Sequence, residues 1–404
     1  VKIAGELNAS GGNGQTGGRI DVSGQRVLVD QAVLDASGPR GGGQINIGGE
    51  AYGGGSLTRS EATTIGPDAV LKADATRSGE GGQVVVWSDG SMRFHGEASA
   101  KGGVVAGDGG FIETSGQNID IRGGRADAGA RTEGGKGGKW LLDPFNVTIN
   151  NADGNPSGSP PMLDPFEPVA DSNIDADDIL NALATTDVEI NTGSAGGSAG
   201  DITVDASGAI NYTGMRDATL TLIAANDINV NAGIDSTNAQ LNINLRANDA
   251  LPVESDPTSG QVNIGNVAIN TNGGSMLMRG VDLSINPAAT IDVGTVNVTL
   301  TANSRSATAD GVTDQGIGIG AGAGADATGT GNFRVSQAEL QTIASTGAVT
   351  INQAGRTEMS GTVYDSVTVG GGLDLSAQDY SLSITGGDLT FGDITLNTGK
   401  TLAL

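Results

Sequence analysis

Few residues in this chain could do chemistry. His95 is its one histidine, there is no cysteine, and 46 carboxylates face 21 lysines and arginines, a net charge of −25 over 404 residues. A nucleophile–histidine relay would have to run through His95, yet Met92-Arg93-Phe94-His95-Gly96 has no nucleophile elbow beside it. A histidine at the edge of a turn is the plainer reading. Without cysteine there is no thiolate nucleophile, disulfide framework, iron–sulfur cluster or zinc ribbon. Carboxylate pairs of the glycosidase kind are plentiful, but so many acids pair by chance, and spacing does not show two of them facing one sugar. Asp175, Asp177 and Asp178 lack the glycine and distal glutamate of an EF-hand loop. Gly322-Ala323-Gly324-Ala325-Asp326 is a single, incomplete copy of a calcium nonapeptide. No catalytic, cofactor-binding or metal-ligating set is therefore assigned. For sugar binding, Tyr52, Trp87 and Trp140 are the candidate stacking platforms in a chain with 2 Trp, 4 Tyr and 6 Phe. Asn-X-Ser/Thr sites begin at Asn8, Asn146, Asn211 and Asn297, as often as chance gives in a Thr-rich chain.

Charge and composition exclude more. A strongly acidic chain lacks the basic patch that nucleic acid needs, so no nucleic-acid partner is expected. An anionic lipid surface would repel it, and no apolar run approaches the ~20 residues of a spanning helix, so no membrane insertion is expected. Glycine, at 68 residues, shows no period of three, which excludes collagen.

A repeat positions what chemistry there is. Gly17-Gly18, Gly42-Gly43, Gly81-Gly82, Gly109-Gly110 and Gly137-Gly138 each lead into an alternating strand, as in Arg19-Ile20-Asp21-Val22. The starts at 17, 42, 81, 109 and 137 are separated by 25, 39, 28 and 28 residues, and the polar stretch Ala51–Ser60 reads as an insertion in the long interval. A second marker keeps phase: Ala9, Ala36, Ala73, Ala100 and Ala128 each precede a Gly-Gly pair. Alternation puts Ile20 and Val22 on one face and Asp21 on the other. One short strand buries too little alone, so successive copies must stack. Glycine at each turn would permit dihedrals closed to other residues and let coils approach closely. These conditions predict an all-β fold, a parallel β-helix (solenoid) with short helical and loop excursions, right-handed because parallel crossovers almost always are. With coils ~4.8 Å apart, the whole segment would be a rod on the order of 70–90 Å long.

Three regions are expected. Residues 1–140 carry the Gly-Gly repeats, with 14 basic and 16 acidic residues; 141–404 hold the other 7 basic and 30 acidic ones. Residues 141–200 hold a Pro-rich loop, within which Leu-Asp-Pro-Phe recurs at 163–166, and a short helix over Asp175–Leu183. Asp175 is its N-cap, and Ile179, Leu180 and Leu183 form its apolar stripe. Residues 201–404 return to strands rich in Asn and Thr, whose side chains could hydrogen-bond from coil to coil. A Gly/Ala-rich excursion is expected near 302–345, ending in a helix that Ser336 and Glu339 cap as a box. Both ends read as mid-coil, as in an excerpt of a longer protein.

Gly109-Gly110-Phe111-Ile112-Glu113-Thr114-Ser115-Gly116 and Trp140-Leu141-Leu142-Asp143-Pro144-Phe145-Asn146-Val147-Thr148-Ile149 resemble strings of the large two-partner-secretion exoproteins, the filamentous haemagglutinin and high-molecular-weight adhesin type of Gram-negative bacteria. Gly82-Gln83-Val84-Val85-Val86-Trp87-Ser88-Asp89-Gly90 is similar to a string upstream of that pair. The resemblance covers about 80–210 and implies an interior segment of a secreted or surface-displayed adhesin. An outer-membrane barrel transporter would be its export partner, and a carbohydrate, exopolysaccharide or host surface its ligand. The family's Asn-Pro-Asn-Gly secretion signature is absent. A β-helical carbohydrate-active hydrolase or lyase, or the stalk of a contact-dependent toxin exoprotein, are the alternatives. The expectation is that the chain is not an enzyme.

Overall fold

A computed structural model describes residues 1–151, 164–193, 199–248, 260–303, 316–320, 333–353, 356–358, 361–363 and 366–404. The chain is a parallel β-helix: short strands pair in register with the equivalent strands of neighbouring coils, and one described pairing, Arg356–Glu358 with Gly361–Val363, is antiparallel. It divides into two compact units, residues 1–198 with 218–220, and residues 199–217 with 221–404. The compositional change at Trp140 falls inside the first unit, within the strand Lys139–Asp143.

In the first unit the strands that follow the Gly-Gly pairs form one face. Ile20, Ile45, Val84, Ile112, Trp140 and Val188 stand opposite one another in successive coils. All six are buried, so this column is the apolar lumen. The other two faces run through the halves of one long strand, Arg26–Asp35, which is bent at Gln31 (φ 51°) and preceded by its partner Lys2–Asn8. Its first half pairs with Ala62–Ile65, followed by Ser91–Phe94 and Asn118–Asp120; its second half pairs with Val70–Lys72, followed by Glu97–Ser99 and Arg125–Asp127.

The two sequence markers are partners. In each coil the second glycine donates its N–H to the marker alanine's carbonyl: Gly18 to Ala9, Gly43 to Ala36, Gly82 to Ala73, Gly110 to Ala100 and Gly138 to Ala128, all at 2.7–2.8 Å. None of these glycines has a positive φ. The dihedral argument for them therefore fails, and close approach is the reason that remains. A Cβ on Gly43, Gly82, Gly110 or Gly138 would run into the carbonyl oxygen of the equivalent glycine one coil back. A Cβ on Gly17, Gly42, Gly81 or Gly109 would meet the marker alanine's carbonyl in the next coil. The alanine N–H in turn reaches the following coil, as from Ala36 to Lys72 O and Ala73 to Ser99 O. Where that coil carries a helix instead of a strand, the Thr186 hydroxyl takes the Ala128 N–H at 2.8 Å.

That helix, Ala176–Leu183, packs against Arg125–Asp127 and is capped as expected, with Asp175 accepting the Asp177 N–H at 2.9 Å. Its buried side is Ala176, Asp178, Ile179, Ala182 and Leu183. Leu180 is half-exposed, so the expected stripe is shifted toward the small residues and includes an acid.

The second unit builds its main face from Leu241–Ala247, Met276–Gly280, Val298–Ala302, Ala348–Gln353, Ser381–Ile384 and Leu402–Ala403. Here the expected polar ladders hold coil to coil: Asn263 donates to Asn229 (3.0 Å), Asn270 to Asp235 (3.0 Å), Asn244 to Thr221 (3.2 Å) and Thr301 to Asn352 (2.7 Å). The helix Gln337–Leu340 carries the full Ser336/Glu339 capping box. Glu339 also accepts the Ile285 N–H, tying the helix to a strand edge. The Gly/Ala-rich stretch expected as an excursion contains a strand, Ile317–Gly320, paired with both Phe333–Ser336 and Val367–Val369. Pro156, Pro160, Pro161, Leu163 and Gly322–Asp326 lie outside the described residues.

Candidate functional site

Simple alternation leaves the outer row of the Gly-Gly face to solvent. Instead Asn46, Val85, Glu113 and Leu141 are between 0 and 3 % exposed. The expected insertion supplies part of the cover by folding back onto the face. A Cβ on Gly49 or Gly53 would lie 2.6–2.7 Å from the Trp87 indole, so both positions must be glycine for the segment to pass. Tyr52, between them, is held at φ 56°, ψ 27°, in the left-handed region. Its N–H donates to both oxygens of Glu113, at 3.0 and 3.1 Å, and its ring stacks on Phe111 with centroids 5.7 Å apart. Lys139 lies over the Phe111 ring and pairs with Glu189 at 3.1 Å.

Burial dominates the electrostatics here. It pushes the Glu113 carboxyl up to about 7, helped by the charge of Asp143 and opposed by the Tyr52 N–H, the Ser115 hydroxyl and Lys139. Burial also pushes Asp143 up to about 7, with Glu189 adding repulsion. Raised carboxyls of this kind are what a general acid requires, yet Glu113 is wholly inaccessible.

A second cluster sits at the corner between Ser91–Phe94 and Glu97–Ser99. His95 occupies the turn, as expected, but points inward and is 3 % exposed. Its Nε2 lies 3.3 Å from Asp120 Oδ2, out of line for a hydrogen bond, and neither ring nitrogen has a hydrogen-bond partner among the described residues. Burial works against ionisation of Asp120, but the Arg122 guanidinium and His95 hold its carboxyl well below the usual range. Asp178, reaching in from the helix, is pushed up to about 7 by burial and by Asp175, against the Gly123 N–H. Asp120 opens onto a cleft of about 380 Å³ lined also by Arg93, Arg122, Asn150, Asp171 and Asn173.

The chain matches no family model and no curated protein. Of the three aromatic candidates, Trp140 is a core residue, fully buried with its Nε1 donating to Thr114 Oγ1 at 3.0 Å. Trp87 lies under the insertion, its Nε1 bonded to Asp89. Tyr52 is 65 % exposed. The asparagines of all four Asn-X-Ser/Thr sites are exposed. Among the described residues no group of three or more His, Asp or Glu side chains is arranged to hold a metal ion, and no helix is long and apolar enough to cross a membrane. Glu113 escaped the sequence reading because a strand's alternation does not say what covers its outer side. Trp140 could have been placed, since it aligns with Ile112 as the second residue after a glycine pair.

Proposed function

We propose that the chain is a stalk and binding segment of a secreted, cell-surface adhesin of the two-partner-secretion type. It would leave the cell through an outer-membrane barrel transporter and hold a carbohydrate, exopolysaccharide or host surface. The observation that carries this reading is the in-register solenoid, which repeats each outward position once per coil. The three resembling strings, at 82–90, 109–116 and 140–149, each include or overlap a strand of the same face. Repetition turns weak contacts into avidity, the property an adhesive surface needs.

The second reading, a β-helical polysaccharide hydrolase or lyase, draws on the raised, part-exposed carboxyl of Asp143, beside the enclosed Glu113. Incubating the purified chain with neutral and acidic bacterial polysaccharides separates the two. Retention of a polysaccharide without new reducing ends or unsaturated products is expected; measurable cleavage defeats the adhesive reading.

A further inference from the structure

We infer that Tyr52, stacked on Phe111 at the end of the Gln44–Gln83–Phe111 row, is a docking platform for the pyranose rings of a neutral polysaccharide. This names a ligand class and a place for it, and it rests on the adhesive reading above.

Three independent features converge on Tyr52. Among the described residues its ring is the one aromatic in the set of large apolar side chains open to solvent, while the stack on Phe111 fixes the plane of the ring. Its backbone occupies a left-handed conformation that a Cβ disfavours, between glycines that adopt such turns without strain. Strain held in place by its surroundings is a mark of a functional position. The wholly buried Glu113 accepts the Tyr52 N–H on both oxygens, one of which also accepts the Ser115 hydroxyl. Packing alone would have been served by an apolar ring turned inward, or by glycine at φ 56°. The arrangement instead presents a rigid aromatic face to water, and the C–H face of a pyranose is the apolar surface that stacks on such a ring.

The polar partners are on the neighbouring coils. Arg19 Nη1 donates to Gln44 Oε1 (3.5 Å), and Gln44 Nε2 donates to Gln83 Oε1 (3.3 Å). No described residue takes the Gln83 Nε2 hydrogens, which are available to a sugar hydroxyl. Beside Phe111, along the glycine pairs, runs a shallow, open groove of about 400 Å³ edged by Gln44, Glu80 and Gln83. Its amide-bearing side chains advance by one coil step, ~4.8 Å, close to the advance of one unit in an extended polysaccharide. A neutral ligand is indicated because the cations here are engaged. Arg19 pairs with Asp21 and Glu50, and Lys139 with Glu189.

The test is retention of the chain by mannan, β-glucan and galactan, with alginate as the acidic counterpart, for wild type, Tyr52→Phe, Tyr52→Gly and Gln83→Leu. Wild type and Tyr52→Phe should bind at least one neutral polysaccharide. Tyr52→Gly should lose at least tenfold in affinity while its melting temperature holds or rises, because glycine is at ease at this φ. Gln83→Leu should lose severalfold. Equal binding by wild type and Tyr52→Gly, retention by alginate alone, or no retention of wild type by any of the four overturns the inference. Adhesion of beads coated with the Tyr52→Gly variant to bacterial cells then reports separately on the adhesive reading. Persistent adhesion leaves that reading standing without this site, and loss of adhesion by wild-type beads as well removes both.

Discussion

The two units join their coils by different means. In residues 1–198 the corners are closed by main chain against main chain, with glycine carbonyls and alanine carbonyls filling the space a Cβ would need. In residues 221–404 the main-chain bonds are joined by ladders of asparagine side chains, as in the Asn229–Asn263 and Asp235–Asn270 bonds. A backbone joint is intolerant, because nothing in it can rotate away; a side-chain joint is adjustable and weaker one bond at a time. The shift from glycine to asparagine along the sequence records that exchange.

The comparison can be broken most forcefully at the first unit's lumen and corners. Ile112→Asp should unfold several coils, since an unpaired charge in that column costs several kcal/mol; unchanged melting would misplace the inward face. Gly110→Val, which drives a side chain into the Gly82 carbonyl, should cost about 4 kcal/mol or more by denaturant titration. A loss under about 1 kcal/mol would show that the corner relaxes and that the contrast between units is false.

An intermediate effect concerns pH. Folded Glu113, Asp143 and Asp178 keep their protons up to about 7, whereas unfolded carboxyls release theirs near pH ~4. Between those values the folded state binds more protons, so stability falls as pH rises from about 4 to 7. The groups facing Glu113 and Asp143 are Lys139 and Glu189; those facing Asp178 are Asp175, Asp177 and Asp120. Asp120, held low, acts in the opposite sense, and its contribution is lost only as pH drops below the ordinary carboxylate range. Melting of the first unit should therefore be higher at pH 5 than at pH 8, and Glu113→Gln should flatten part of the slope. A transition that rises from pH 5 to 8 would count against the buried carboxyls. All three raised acids lie in the first unit, so the second unit's transition should move less.

The smallest effect is expected in the second unit, where Asn263→Ala should cost roughly 0.5–1.5 kcal/mol by removing one bond of a ladder. A loss as large as that of Gly110→Val would erase the distinction between the two kinds of joint.

Much of the fold was legible because its signals are local or strictly periodic. The glycine and alanine markers recur with each coil, Asp175 and the Ser336/Glu339 box announce their helices, and an interval of 39 where 28 is usual betrays the insertion. Of the candidate site only Tyr52 was legible, as one of three aromatics, and not its setting. Whether Tyr52 points out or in, and whether Glu113 is wet or dry, depends on where an eleven-residue excess folds back, a contact 61 residues apart in sequence. His95 shows the same limit, since its turn is local but its neighbour Asp120 lies a full coil away. The strand Ile317–Gly320 hid in glycine-rich sequence because its pairing, not its composition, makes it a strand.

The bond from each marker alanine's N–H to the following coil has a consequence for how such a chain can grow. Whatever turn is last formed exposes a row of unsatisfied amides, spaced to receive the next stretch of polypeptide and indifferent to anything farther along. Assembly can thus advance like knitting, every finished row serving as the needle for its successor, with no need for the far end to be present when the near end sets.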